Sequence, residues 1–340
     1  MEWPPGISLR RVSESGSVLL ALHGELSPLG VDPRRRPLPV HPETKSVILG
    51  ARASEDGPDT TMEKIRNAVI IHGPGRSGTT LLSRILSMHS AFAWISGYVD
   101  RFPGRPVLAV LNRLMAIDVL ERWTRSKRYW PRPAEAYQFW NHYFPRFSDS
   151  ETRSQLPCHD RPEECKRAIR DVLRYHGRPR FITKITGAPR ANELEVVFDN
   201  PHVIYLHRDP RAVVASYYKQ RWGYKRAPER FALKTEVELL TEYVQRYESS
   251  FEGRNSLKAF LFDDVSYERL IEAPDPFFRE LLPRLRLSHD RNFFKRLRSW
   301  QFDAQANQAW RNQLTREGVA FLDDALKEYV GFTARLQRAD

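Results

Sequence analysis

The chain has 340 residues, 41% hydrophobic and 28% charged, which supports a sizeable buried core in one large domain or two modest ones. It holds no apolar run of 18 residues and opens on no apolar leader, so the expectation is a chain without membrane span or secretory signal, in the cytoplasm. The formal net charge is +12, and the two cysteines, Cys158 and Cys165, exclude a disulfide scaffold.

Residues 1–61 carry 7 Lys+Arg and 8 Asp+Glu, so the remainder of the chain holds +13. A basic body of this kind suits an anionic partner. The first 61 residues also contain eight prolines and the run Arg34–Arg36. Val18–Leu22 and Val47–Leu49 are short apolar runs that suit a strand or hairpin, but the composition as a whole predicts a flexible arm. A compact pattern begins at Met62, which is an alternative start for the protein.

Asn67–His72 reads as a buried strand and Thr79–Met88 as a helix. Phe181–Ile185, His202–His207 and Lys258–Phe262 read as three further strands, with helical stretches between them. Strands alternating with helices predict an α/β fold: a parallel sheet flanked by helices, in one domain spanning 62–340. Residues 123–147 hold nine aromatics interleaved with Arg and Lys, and predict an insertion over about 123–165 that lies over the sheet edge and shapes an acceptor site. Packing of those rings in a local core, with arginine stems over them, is the competing reading.

Gly73-Pro-Gly75-Arg76-Ser77-Gly78-Thr79-Thr80 lies between a predicted strand and helix. Such a loop points backbone N–H groups into one concavity at a helix N-terminus, where an anion fits. Ser77, Thr79 and Thr80 add hydroxyls, and Arg76 adds a charged fork. The spacing of Gly73 and Gly78 matches G-x-x-x-x-G-K-[ST], but Thr79 stands where a triphosphatase or kinase needs lysine.

Tyr205-Leu-His-Arg208-Asp-Pro-Arg-Ala-Val-Val-Ala-Ser216 repeats the strand-turn-helix pattern. Asp209 suits an N-cap and Pro210 the first helical position. This puts Arg208 at the carboxyl edge of a strand, where open parallel sheets bind ligands.

The two segments together resemble the sulfotransferase superfamily, whose members use 3′-phosphoadenosine-5′-phosphosulfate (PAPS), and they are closest in style to its bacterial type. The resemblance covers about residues 65–332. It implies a P-loop-like sheet and one sulfotransferase domain. Gly75, Arg76, Ser77, Gly78, Thr79 and Thr80 would hold the 5′ end of the donor, and Arg208 and Ser216 its 3′-phosphate. Lys184 resembles the family's lysine at a strand end, Phe262–Leu270 a Tyr-Glu-Asp-Leu variant, and Trp310-Arg311 a loop that closes on the nucleotide. Transfer to a hydroxyl acceptor, preferably on a carbohydrate, would then use Arg76, Lys184 and Thr79 against developing charge, with no metal required.

The acceptor also needs a general base. The family's glutamate after the loop is missing: Ile95–Pro103 contains only Asp100, which is the first candidate. His89, His142 and Glu135 are further options. Cys158-His159 with Cys165 lacks the paired spacing of a zinc site. The rival readings are a magnesium-dependent kinase or triphosphatase, a basic polyanion-binding protein, and a nucleotide-binding relative that has lost its base. Nothing in the sequence calls for a specific nucleic-acid partner.

Overall fold

The computed structural model describes residues 7–11, 18–22, 62–117, 131–149, 159–225, 227–303 and 307–338. The chain divides into two compact units, Met1–Pro58 and Asp59–Asp340. In the first, β1 (Ile7–Arg11) and β2 (Val18–Leu22) pair antiparallel, Ile7 opposite Leu22 and Arg11 opposite Val18. The apolar run at 18–22 is therefore one half of a hairpin within the expected arm. Val47–Leu49 lies outside the described residues, as do Trp123, Tyr129, Trp130 and Cys158.

The second unit is built on five parallel strands: β4 (Val69–His72), β5 (Phe92–Ala93), β6 (Arg180–Lys184), β8 (His202–His207) and β9 (Leu261–Ser266). Their order is β5-β6-β4-β8-β9. A separate parallel pair joins β3 (Ile65–Arg66) and β7 (Phe198–Asp199). Ile70 of β4 lies opposite Thr183 of β6 and Val203 of β8.

Both faces of the sheet are covered, which is why its strands read as continuous apolar runs rather than alternating ones. Ile70, Phe181 and Val203 face one cluster, while Val69, Ile71, Ile182 and Ile204 face the other. On the second face lies α1 (Thr79–Leu86), whose buried Leu82, Ile85 and Leu86 form its apolar stripe.

The chain runs from β4 out to the edge at β5, returns through β6, and crosses β4 to reach β8. Reversal of this kind opens a crevice at the carboxyl ends of adjacent strands. The two predicted anion loops leave from the neighbouring ends of β4 and β8.

Two expectations are corrected. The last strand is Leu261–Ser266, while Arg254–Ala259 is a 3₁₀ segment. Asp263 and Asp264 hide this strand from a hydrophobic pattern. They are accommodated because His202 and Arg284 pair with Asp263, and His207 and Arg254 with Asp264. The described part of the aromatic segment is core rather than lid. Phe139, Trp140, Tyr143, Phe144 and Phe147 are all buried in the cluster that holds Ile70 and Phe181. Trp140 stacks on Phe147 at 5.1 Å and meets Phe198 at 6.3 Å.

Candidate active site

The first loop leaves β4 at His72 and enters α1 at Thr79. Gly78 adopts φ 97°, and a Cβ there would lie 2.4 Å from the ring of Tyr267. Only glycine satisfies both constraints. Arg76 also sits in the left-handed region, at φ 69°, a conformation that costs energy for a side chain of this size. No side chain caps α1, so the N–H groups of its first turn stay directed out of its N-terminus. The hydroxyl of Ser77 is buried and has no hydrogen-bond partner among the described residues.

The second loop leaves β8 at His207. Asp209 accepts the N–H of Arg211 at 2.9 Å and caps α6 (Pro210–Lys219), with Pro210 in its first turn, as the sequence predicts. Here α2 is Gly97–Arg101, α3 Tyr137–Tyr143, α4 Pro162–His176 and α5 Ala191–Val197.

The fold brings the two loops into direct contact. Arg76 Nε donates to Ser216 Oγ at 3.0 Å, and Arg208 Nη1 donates to the carbonyl of Arg76 at 3.1 Å. Arg208 Nε donates to Asn307 Oδ1 at 2.8 Å, and the guanidinium lies 4.6 Å over the ring of Tyr267. Glu268 ties this corner together. It accepts from the N–H of Asp209, from Asn307 Nδ2 and from Ser266 Oγ, each at 2.9 Å. Asn307 and Glu268 have no local signature in the sequence; the weak Tyr267-Glu268 match was the one available signal.

Lys184, at the end of β6, is buried and donates to Thr80 Oγ1 at 2.8 Å. It also forms an ion pair with the half-exposed Glu135. Burial pushes the Lys184 ammonium below its ordinary range, Glu135 opposes that, and the charges of Arg84 and Arg76 add to it. The segment carrying Glu135 is held along the continuation of β5. Ala134 N–H donates to the carbonyl of Ile95 at 2.9 Å, and Gly97 N–H to that of Arg132 at 3.2 Å.

Asp100 is bonded to the backbone of a neighbouring element. Its carboxylate accepts the N–H of Phe139 at 2.9 Å and bonds the backbone of Gln138 as well. These groups lie in the first turn of α3, whose own N-cap position, Ala136, offers no side-chain oxygen. Asp100 supplies the missing cap from another element. Burial pushes its carboxyl up, the two backbone bonds oppose that, and Glu135 reinforces it.

Of the remaining candidates, His89 is buried, bonds the carbonyl of Ser288 at 3.1 Å and accepts from the N–H of Ala91 at 3.2 Å. His142 is exposed and lies against Tyr143 at 4.7 Å. Arg311 is exposed over Trp310 at 5.1 Å, and no contact joins it to either loop among the described residues. Cys165 is buried and free, and burial pushes its thiol up. Among the described residues, no three or more His, Cys, Asp or Glu gather as a metal site.

A cavity of about 400 Å³ opens beside Gly75. Tyr137, Thr186, Tyr217, Trp222 and Arg246 contribute to its wall. Tyr137 Oη meets Thr186 Oγ1 at 2.6 Å and donates to the Thr186 carbonyl at 3.2 Å.

The parallel sheet thus carries two loops in contact at adjoining strand ends and a buried lysine at a third strand end. A family model described as "Sulfotransferase family" matches residues 68–291. The chain belongs to the sulfotransferase family. Among solved structures, it is similar to sulfotransferase STF9 from Mycobacterium avium, at 17% identity over 79% of this chain and 77% of that one, with a TM-score of 0.51. Sulfotransferase STF1 from Mycobacterium tuberculosis gives 14% identity over 78% of this chain and 77% of that one, with a TM-score of 0.49. Mouse sulfotransferase SULT7A1, solved with PAP, gives 12% identity over 82% and 90%, with a TM-score of 0.43. These are likenesses of fold. No curated protein matches the chain. No helix among the described residues is long and apolar enough to cross a membrane.

Proposed function

We propose that this sulfotransferase uses PAPS as donor and transfers its sulfuryl group to an acceptor hydroxyl, with a carbohydrate as the preferred acceptor. The observation that carries the reading is the junction of the two loops, Arg76 Nε on Ser216 Oγ at 3.0 Å. It places two groups of anion donors side by side, as a nucleotide with separate 5′ and 3′ anionic groups requires. The buried, unpartnered Ser77 hydroxyl and the uncapped start of α1 fit the 5′ end. Arg208, with Ser216, fits the 3′-phosphate, and the Trp310-Arg311 segment resembles a loop that closes on the nucleotide.

PAPS supplies the sulfuryl group: the acceptor oxygen bonds to sulfur as the sulfur–oxygen bond to the 5′-phosphate breaks, and adenosine 3′,5′-bisphosphate departs. Lys184 and Arg76 stabilise the charge that develops on the bridging and sulfuryl oxygens, aided by the Thr79 and Thr80 hydroxyls. Glu135 takes the acceptor's proton. It is the carboxylate that touches Lys184 and remains half-exposed, and its charge acts on Tyr137, which lines the cavity beside Gly75 where an acceptor would sit. Asp100 acts on it indirectly, by fixing the first turn of α3 two residues further on. The hydroxyl-rich and aromatic cavity wall suits a sugar ring, and the scheme routes no step through a metal.

Calorimetric titration tests this reading, with adenosine 3′,5′-bisphosphate set against ATP plus magnesium. Saturable bisphosphate binding, weakened in both Arg76→Ala and Arg208→Ala, is the expected result and leads to an acceptor screen with labelled PAPS. Preference for magnesium-ATP, or affinity indifferent to both arginines, overturns it in favour of the kinase or polyanion-binding reading.

A further inference from the structure

A second, smaller cavity of about 40 Å³ lies among α1, the strand end after β5, the 3₁₀ segment Pro106–Ala116 and the end of α4. None of its lining residues belongs to Gly73–Thr80 or Arg208–Ser216, and Lys184 does not line it. Its wall includes four arginines, Arg84, Arg132, Arg178 and Arg296, and no Asp or Glu among the described residues.

Four buried polar atoms on this wall have no hydrogen-bond partner among the described residues: Arg84 Nε, Trp94 Nε1, Asn112 Oδ1 and His176 Nδ1. Trp94, Asn112 and His176 are 6%, 0% and 4% exposed, so bulk water does not satisfy them. A buried polar group left unpaired keeps its full desolvation penalty, and four around one small space are a concentration that an occupant would relieve. The groups are also held in place. Asn112 Nδ2 donates to the carbonyl of Trp94 at 3.0 Å, and Trp94 meets His176 edge-on at 4.3 Å. Arg178 donates to the carbonyl of Ser90 at 2.7 Å, and Arg296 to those of Met115 and Ala116. A bond to a neutral carbonyl orients the Arg178 guanidinium and leaves it further N–H donors.

We infer that this cavity is a binding site for a small tetrahedral oxyanion of the phosphate class, separate from the transfer site. The volume admits two or three water-sized bodies and no nucleotide. Water alone would satisfy the donors but would not offset the charge of Arg84, whose Nε is unpartnered among the described residues. Arginine forks are matched by tetrahedral oxyanions. Asn112 Oδ1 is an acceptor, and hydrogen phosphate carries an O–H that it can receive, whereas sulfate carries none. Among the described residues, Asp290 acts on His89 from outside the wall. A bound anion would pin the far end of α1 to β5 and α4, behind the loop that α1 supports.

The test is calorimetric titration of the full chain with inorganic phosphate, sulfate and chloride at constant ionic strength, in the presence of saturating adenosine 3′,5′-bisphosphate. The same titrations are made on Arg84→Gln, Trp94→Phe and Arg208→Ala, with thermal melts to confirm folding. The expected result is saturable phosphate binding that is tighter than sulfate, at least tenfold weaker in Arg84→Gln, weakened in Trp94→Phe and unchanged in Arg208→Ala. Arg84→Gln alone decides the matter if Trp94→Phe fails to fold. No saturable phosphate binding, binding shared equally by chloride, binding undiminished in Arg84→Gln, or loss only in Arg208→Ala overturns the inference. The last outcome would place phosphate in the transfer site, so this inference fails separately from the proposed function.

Discussion

Arg208 donates through Nη1 to the carbonyl of Arg76, 132 positions earlier in the chain, at 3.1 Å. The same guanidinium uses Nε on Asn307 and lies against the ring of Tyr267. One planar group therefore joins three distant segments.

Lysine cannot hold that arrangement, because its single ammonium lacks the fork and the stacking plane. Arg208→Lys is expected to weaken adenosine 3′,5′-bisphosphate binding by about 10- to 100-fold, the loss of one or two charge-assisted bonds of about 1.5–3 kcal/mol each in part. Calorimetry on the variant reads this directly. Wild-type affinity would show that charge alone, without the fork, serves at this position.

Glu135→Gln separates proton transfer from binding. The expected effect is a fall of about 10²- to 10⁴-fold in kcat, the usual share of a general base, with bisphosphate affinity nearly unchanged. Glu135 raises the Lys184 pKa, so its removal lets that pKa fall further. The alkaline limb of the kcat/KM profile should therefore move to lower pH. Asp100→Ala should lose a helix cap of about 1 kcal/mol and reduce kcat much less than Glu135→Gln. The reverse ranking would return the base to Asp100.

Gly78→Ala meets two obstacles, a Cβ 2.4 Å from the Tyr267 ring and a φ of 97°. It should destabilise the fold by about 1–3 kcal/mol and abolish bisphosphate binding. Gly104→Ala is the control, because a Cβ there meets nothing within 4 Å. Thermal melts compare the two, and equal melting temperatures would contradict the strain argument.

Acid should weaken the fold before its carboxylates protonate. Burial pushes His72 down to about 4 and His176 down to about 3, the latter helped by Arg178 and Arg113. Above the unfolded value of about 6.5 both histidines are neutral in either state and the full stability is present. As pH falls below it, the unfolded chain takes up protons that the folded one refuses. Stability then declines down to the folded values, by about 3 kcal/mol for His72. Urea midpoints between pH 7 and 4 check this, and His72→Phe, which keeps the ring stacked on Tyr205, should flatten the slope. An unchanged slope in His72→Phe would exclude that histidine as a source.

What depends on near neighbours is readable from consecutive residues. The glycine spacing before Thr79, the Asp-Pro start of α6 and the apolar strands at 69–72, 180–184 and 202–207 are each written in consecutive residues. Backbone conformation, capping and burial act over that range, so the α/β class and both strand-to-helix loops were legible. Tertiary structure decided what depends on strand order. Asp100 and Glu135 are both carboxylates near the expected place. Only the pairing of Ile95–Gly97 with Arg132–Ala134 sets Glu135 against Lys184 and turns Asp100 to the start of α3. The rings at 139–147 carry the same composition whether they line a lid or a core, and the sheet face they meet made them core. The acids of β9 hid a strand because their hydrogen-bond and ion-pair partners, His202 and His207 among them, come from elsewhere in the chain. Arg84, Trp94, Asn112 and His176 had no pattern at all, since four separate segments bring them to one cavity. Periodicity and spacing encode local geometry, whereas contacts between distant residues follow from the packing of the whole sheet and its helices.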